Sequence, residues 1–452
     1  MGPLLPPLLA IALAFITRQV HFSLFVGVLA GAVLLSGSFI HAPALAMEQL
    51  VDVFRDPSNT RVVLFCILIG GFLALVQENG GVLGFRQWIE RSSRFKTRRA
   101  AEVITLFVGC LVFIESTITI FVTSAIGRPL FSRLKIAREK LSYYCDATSA
   151  PICMLIPLNA WGVFVLGLIS EEEDPIRLLL ASLPLAFYPI LAVLIAFLVA
   201  IFGLDFGPMK AASDRTKVES AEYPAQEPDE GSGAAKRFLI PLVLMVSLVP
   251  LGLFLTGDGN FFAGVGSAAV LYAIAGGTLA AALFHVFGQG ATLSETIDTF
   301  FEGSSQFLSL GAMMALAFAF GEVARVLGTG PLIASLVSES FPPGITVMLV
   351  FVVSCIVSFA TGTSWGSMAL TIPLALPLAH GLDLPPSLLL GAALSGSVFG
   401  DHASPLSDTT IISALAAGCD PMEHVKTQLP YALLGAGIAA LFYGVTGSLV
   451  AA

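Results

Sequence analysis

The run Gly400-Asp401-His402-Ala403-Ser404-Pro405-Leu406-Ser407-Asp408-Thr409-Thr410 places two carboxylates and four hydroxyls inside an otherwise apolar stretch. A carboxylate at bilayer depth costs at least about 2.5–3.5 kcal/mol on insertion scales, so it persists only with a partner. No Lys or Arg occurs between Arg325 and Lys426. A bound cation or a bound proton would supply what the sequence neighbourhood lacks. Pro405 has no N–H, so the carbonyl four residues back, that of Asp401, loses its helical donor. A free carbonyl beside Asp401, Ser404 and Asp408 makes an all-oxygen cluster of the kind hard cations take. Spacings of seven (Asp401, Asp408) and four (Ser404, Asp408) share one face of a helix. The expectation is Na+ at Asp401, Asp408 and Ser404, with Thr409 beside it. The bland alternative is a polar kink, for which two carboxylates are more than is needed.

A first-half counterpart is Asp146-Ala147-Thr148-Ser149-Ala150-Pro151, followed by Pro157 and Asn159. Pro151 frees the carbonyl of Ala147 by the same argument. Asp146, Thr148 and Asn159 are therefore candidate cation- or proton-binding residues, although Lys140 could hold Asp146 in a structural ion pair. Two further clusters read as the tips of re-entrant hairpins. One is Glu115-Ser116-Thr117-Ile118-Thr119, where Glu115 is a candidate ligand and Thr117 and Thr119 are tip hydroxyls. The other is Ala360 to Gly366, with Thr361, Thr363 and Ser364 at the tip and Gly362 and Gly366 permitting a tight reversal. Ser/Thr packing between helices is the structural alternative for both. Glu322 lies three residues from Arg325, which favours a local ion pair. His402 and His380 read as partners of nearby polar groups before pH sensors, and Trp161 and Trp365 as packing anchors.

These residues need a frame. Of 452 residues, 56% are hydrophobic and only 12% charged, with a mean hydropathy of +0.89. Soluble domains carry about 25% charged residues, and one soluble core cannot bury this much apolar side chain. The lipid bilayer must be part of the solvent. The net charge of −9 comes mainly from Glu171–Asp174 and the stretch Asp214 to Glu230. No basic patch interleaved with aromatics points to nucleic acid. The six cysteines are scattered without a CxxC pair and read as small buried hydrophobes. Met1 to Ile16 has no basic n-region and reads as a first span, not a cleaved signal. Pro6 stands where myristoylation needs Ser or Thr.

A helix needs roughly 20 apolar residues to cross the hydrocarbon core. Candidate segments are 3–17, 20–38, 62–84, 100–122, 143–170 and 177–204, then 238–256, 261–287, 304–326, 343–382, 386–417 and 427–450. Between them, Met209 to Arg237 is polar and reads as a flexible linker. The division is a membrane repeat at 1–207, a cytoplasmic linker at 208–237 and a second repeat at 238–452. Two basic clusters, Arg86 to Arg99 and Arg128 to Lys140, both belong on the cytoplasmic side. Only the segment 100–122 separates them, so it is read as a re-entrant hairpin. Each half then holds five spans and one hairpin. Five is odd, so the second half is inverted, with broken helices at the midplane. The fold class is an all-α polytopic membrane protein of two inverted repeats. Glu78 with Val82-Leu83-Gly84 recurs as Glu322 with Val326-Leu327-Gly328.

The run Ala360 to Gly366, the run Gly400 to Thr410, Ala417-Gly418-Cys419 and His424 to Tyr431 together resemble the NhaC-type Na+/H+ antiporter family. Arg128-Pro129-Leu130, Arg138 to Leu141 and Asp146 to Pro151 add to the similarity, which spans about residues 60–435. One departure is Glu115-Ser116, where many members carry paired aspartates. The resemblance implies Na+/H+ exchange, with no cofactor and a small cation as substrate, and the absence of targeting signals suits a bacterial inner membrane. The resemblance also implies relatives that couple Na+ or H+ to amino acids or to small acids such as malate and lactate. Transporters of this superfamily are often elevator-like homodimers, in which 100–170 and 343–417 would move. The expected mechanism is competition: Na+ binds ionised Asp401 and Asp408, with Asp146 or Glu115 assisting, and protonation displaces it. An intramembrane aspartyl protease would need glycine at 398, where Val398 stands. A channel is the other rival, distinguished by flux that does not saturate.

Overall fold

The computed structural model describes residues 2–81, 97–113, 115–218, 235–260 and 264–450. Among these residues every regular element is a helix. Among the described residues, seven helices are long and apolar enough to cross a membrane, or eight if one bent pair counts as a span. Pro57–Glu78, with 22 residues, rises about 33 Å at 1.5 Å per residue, which matches the hydrocarbon thickness. The chain is an integral membrane protein.

The first two expected spans are separate helices, Leu5–Thr17 and Val20–Ser36, of 13 and 17 residues. Both are shorter than a full crossing. Arg18 in the left-handed region (φ 57°) ends the first, and extended Gln19 begins the second. Helices outside the expected segments include Ala42–Val53, Leu293–Gln306 and Thr329–Ser340. Ala42–Val53 carries Pro in its first turn. Leu293–Gln306 starts at a capping box in which Thr292 and Glu295 satisfy each other's backbone N–H groups. The segment expected at 304–326 therefore becomes the end of that helix and a separate helix, Leu308–Val326.

The first hairpin is longer than expected. Its arms are Arg98–Leu111 and Ser116–Leu134, where the sequence suggested 100–122. At the closed end, the Thr119 hydroxyl reaches the carbonyl of Val112. At the open end, Arg98 Nε donates to the carbonyl of Leu134 at 2.9 Å. The basic residues at Arg98 and Arg133 thus share one end. Reading the apolar run as ending at 122 misses the second arm, which continues through Pro129. Arg86 to Lys96 of the first basic cluster, and Val82 to Gly84, lie outside the described residues.

A broken helix follows the hairpin: Arg138–Ala147, Ala150–Leu155 and Ala160–Leu168, bent by 47°. The same order recurs later. Pro343–Thr361 and Ser364–Gly381 form a second hairpin, turned at Gly362 with φ 68°. Pro386–Ala403 and Asp408–Ala417 form a second broken helix. Glycines let the two pack closely. A Cβ on Gly400 would sit 2.1 Å from Phe359 N, and one on Gly396 would sit 2.4 Å from the Phe351 carbonyl. Small residues at such a spacing allow backbones to approach in membranes. A Cβ on Gly362 would meet the backbone of Leu406 at 2.7 Å, so the hairpin turn is seated on the helix break. The long helix Pro421–Val450 covers this assembly.

The expected linker 208–237 is helical in its first part, Gly207–Val218. Met209 is buried there, and Phe206 packs on Tyr431 with ring centroids 4.2 Å apart. Ser213 donates to Asp205 at 2.8 Å. Apolar contact with the C-terminal helix explains why polar composition did not keep this part unstructured. Residues 219–234 lie outside the described residues.

Candidate functional site

Asp401 is buried, with 2% of its surface exposed. It lies in the last turn of Pro386–Ala403. Each of its oxygens accepts from a serine: Oδ1 from Ser407 at 2.6 Å, and Oδ2 from Ser364 at 2.8 Å. Ser364 opens the second arm of the second hairpin, whose first turn is capped by Thr363. Ser407 caps the half-helix Asp408–Ala417 and is linked to Thr409 Oγ1 at 2.9 Å. Hairpin tip and helix break thus meet on one carboxylate. Among the described residues, no Lys or Arg forms an ion pair with Asp401.

The other expected members of this cluster lie differently. Asp408 is exposed, and its Oδ1 accepts from the N–H of Thr409 at 2.8 Å. Ser404 turns to the carbonyl of Phe359 at 2.8 Å. The one-face argument assumed a continuous helix, and the turn from Ser404 to Ser407, closed by the Ser407 N–H on the Ser404 carbonyl at 3.2 Å, rotates the next half-helix away from that face. Asp408 still lies within electrostatic range of Asp401 and of Glu115. Glu115 is buried at the tip of the first hairpin. It accepts from Ile118 N and from Ser116 Oγ, each at 3.1 Å, and so caps the helix that begins there. Among the described residues, no three His, Cys, Asp or Glu side chains converge as a metal cage. An oxygen site here must draw on hydroxyls and carbonyls.

Several candidates have backbone duties. Asn159 Nδ2 faces the carbonyls of Phe113, Cys153 and Ile156 at 2.7–2.9 Å. Its Oδ1 accepts from Trp161 N and Gly162 N. This side chain fastens the first hairpin tip to the first helix break, and its hydrogen-bonding capacity is used. Thr148 donates to the carbonyl of Tyr144, and Thr361 to that of Val357. Thr119 is held by the carbonyls of Val112 and Glu115. Thr117 is only partly buried at the same tip. Trp161 and Trp365 pack with ring centroids 4.8 Å apart. Glu322 and Arg325 form the local ion pair, at 2.6 Å.

Asp146 is fully buried, and its partner is not Lys140. Its Oδ2 faces Gln428 Nε2 at 2.7 Å, Thr410 Oγ1 at 3.2 Å and His424 Nε2 at 3.3 Å. Gln428 Nε2 also reaches the carbonyl of His402, and Thr410 Oγ1 the carbonyl of Asp401 at 3.0 Å. The carbonyls that end Pro386–Ala403 are therefore met by donors that also serve Asp146. His402 itself pairs through Nδ1 with Tyr188 at 2.8 Å. Three buried polar atoms of this cluster, His402 Nε2, His424 Nδ1 and Gln428 Oε1, have no partner among the described residues. Chemical reading of the sequence missed His424 and Gln428. Their i, i+4 spacing, polar in an apolar helix, was the available signal.

Lys140 instead joins Glu102 and Asp205, both at 3.0 Å, with Tyr144 donating to Glu102 at 2.8 Å. Arg128 and Arg138 reach the carbonyls of Leu415 and Gly418 at 2.9 and 3.1 Å. They cap the C-terminus of the half-helix whose N-terminus holds Asp408, where cations are favoured by the helix dipole. Farther off, a cavity of about 370 Å3 is lined by Asp52, Glu171, Glu172, Glu322 and Arg325. His380 lies on its flank, 3.0 Å from Glu172.

Comparison with known proteins adds to this geometry. Residues 164–448 match the Na+/H+ antiporter family. An uncharacterized protein of Haemophilus influenzae is 31% identical over 98% of this chain and 90% of its own length. The malate-2H(+)/Na(+)-lactate antiporter of Bacillus subtilis is 32% identical over 31% of this chain and 28% of its own. Among solved structures, the YdaH transporter of Alcanivorax borkumensis superposes with a TM-score of 0.63 at 15% identity. That match covers 89% of this chain and 88% of the other, a likeness of fold.

Proposed function

The chain belongs to the Na+/H+ antiporter family, and from that premise we propose that this secondary transporter exchanges Na+ for protons, with Asp401 as the central cation ligand. The observation that carries the reading is the state of Asp401. Among the described residues, it is a buried carboxylate held by the hydroxyls of Ser407 and Ser364 alone. Hydroxyls stabilise a negative charge without cancelling it, so a buried charge remains to be compensated. Na+ on Asp401, its carbonyl and the two serine oxygens supplies the compensation. Asp408 and Glu115 add negative potential at the approach to that site. Ser404 and Asp408 then act beside the cation and not as the cage first expected. Asp146 is the proton-binding carboxylate.

In this reading only a loaded, charge-compensated site crosses the barrier, because a bare buried carboxylate is costly in low dielectric. The repeated order of hairpin and broken helix supports two inverted repeats, at 1–207 and 238–452, as the source of two access states. The hairpins and broken helices form the moving unit of an elevator-like homodimer. The membrane is a bacterial inner membrane, with the segment 208–237 on the cytoplasmic side. The acid-lined cavity concentrates cations at the opposite mouth.

A second reading, coupling of Na+ or H+ to a small organic acid or an amino acid, is favoured by the local similarity to the malate-2H(+)/Na(+)-lactate antiporter. One experiment separates the two. Purified protein in vesicles loaded with a pH dye is pulsed in turn with Na+, Li+, K+, malate, lactate and arginine. Proton flux evoked by Na+ alone supports exchange. Flux that requires an organic solute as well overturns it in favour of the second reading.

A further inference from the structure

We propose that the hydroxyl of Thr410 is a toggle that couples proton binding at Asp146 to cation binding at Asp401. This rests on the exchange reading above and adds the residue that links its two sites.

Thr410 is fully buried. Its Oγ1 lies 3.2 Å from Oδ2 of Asp146 and 3.0 Å from the carbonyl oxygen of Asp401. Both are acceptors, and a hydroxyl carries one hydrogen. Thr410 therefore serves one of them well at a time. Gln428 spans the same gap but has two hydrogens on Nε2, so it holds Asp146 and the His402 carbonyl together. The single-hydrogen link is Thr410. The Asp401 carbonyl is the one that depends on it, because Pro405 has no N–H to donate.

With Asp146 ionised, its carboxylate takes the hydrogen, since hydrogen bonds to a charged acceptor are the stronger ones. The Asp401 carbonyl is then open beside its own carboxylate and is a ligand for Na+. A proton from the aqueous phase that binds Asp146 removes the charge that held Thr410. The hydroxyl turns to the Asp401 carbonyl and occupies the lone pair the cation used. Nothing is transferred from Thr410; its hydrogen only reorients. Binding of either ion therefore weakens the other, and the coupling is reciprocal. The titratable groups facing Asp146 are His424, His402, Asp401, Asp408, Tyr188 and Cys145. Of these, His424 touches Oδ2. His424 Nδ1 and Gln428 Oε1, without a partner among the described residues, mark where water can deliver the proton, since buried polar atoms usually have a partner.

The test compares wild type, Thr410→Val and Thr410→Ser in proteoliposomes, reading the KM for Na+ at one acidic and one alkaline pH. In the wild type, acid raises the KM by about 5-fold or more, in the usual range of linkage between sites. Thr410→Val removes the hydroxyl at constant volume and leaves a KM nearly independent of pH, with Na+ flux that carries few protons. Thr410→Ser keeps the wild-type response. Where the valine variant is not recovered folded, Thr410→Ala in detergent gives the same discrimination, read by the Na+-dependent rise in thermal stability at both pH values. A wild type whose proton flux ignores Na+ overturns the exchange reading itself. A wild type that exchanges, beside a Thr410→Val variant with an unaltered pH response, overturns the toggle alone.

Discussion

Gln428 donates from Nε2 to Oδ2 of Asp146 across 2.7 Å, joining residues 282 positions apart in the chain. The contact ties the first broken helix to the long C-terminal helix, and through the His402 carbonyl it also reaches the second break. Replacing Gln428 by Leu removes the donor from a buried carboxylate and from a buried carbonyl. Hydrogen bonds to charged groups contribute about 1.5–3 kcal/mol, and 1.4 kcal/mol is about tenfold. Exchange should fall by about tenfold or more while Gln428→Asn retains part of it. Proton flux in vesicles measures this, and an unimpaired Leu variant would contradict the assigned contact.

Asp401 and Asp408 should behave differently when neutralised. Asp408 is exposed and accepts from the neighbouring Thr409 N–H in the first turn of its half-helix, so its charge acts through solvent at the site's approach. Asp408→Asn should raise the KM for Na+ by no more than about tenfold, roughly 1.4 kcal/mol, with the maximal rate kept. Complete loss of transport in that variant would put Asp408 inside the binding site.

Asn159 is predicted to be structural. Its amide serves three carbonyls and two backbone N–H groups. Leaving a buried polar group unsatisfied costs about 1–3 kcal/mol. Asn159→Leu should lower the melting temperature in detergent, and added Na+ should not restore it. A variant of normal stability with an altered cation preference would return Asn159 to the ligands.

Lys140 is 4% exposed and holds two carboxylates, Glu102 and Asp205. Removing one partner of a buried ion pair costs about 3–5 kcal/mol, because the remaining charge is uncompensated. Lys140→Met should destabilise the protein strongly by thermal unfolding. Adding Glu102→Gln and Asp205→Asn should recover much of the loss. A single Met variant as stable as wild type would show that the network is hydrated and weak.

The helix breaks and hairpin tips are legible in the sequence because Pro405, Pro151 and the Thr361-Gly362-Thr363 run punctuate apolar segments, and local chemistry dictates what they do. The grouping of Asp401 with Asp408 and Ser404 fails for the same reason that the break is legible. Helical spacing has no meaning across Ser404 to Ser407, where the backbone leaves the helix in a turn. Asp146 is legible as unusual, but its partners are not, since His424, Gln428 and Thr410 reach it only through tertiary packing. Lys140 is near Asp146 in sequence and on the same helix, yet it joins Glu102 on a hairpin arm and Asp205 after the helix Phe187–Phe202. The helix Leu293–Gln306 carries a readable capping box at Thr292 and Glu295, which hydropathy alone passes over.

The central claim is that Asp401 is the carboxylate whose charge Na+ compensates. Uptake of radiolabelled Na+ into proteoliposomes with an outward proton gradient tests it, comparing wild type with Asp401→Asn and Asp401→Glu. The account predicts gradient-driven uptake in the wild type, none in Asp401→Asn, and partial uptake with a raised KM in Asp401→Glu. Undiminished Na+ uptake by correctly folded Asp401→Asn would contradict it.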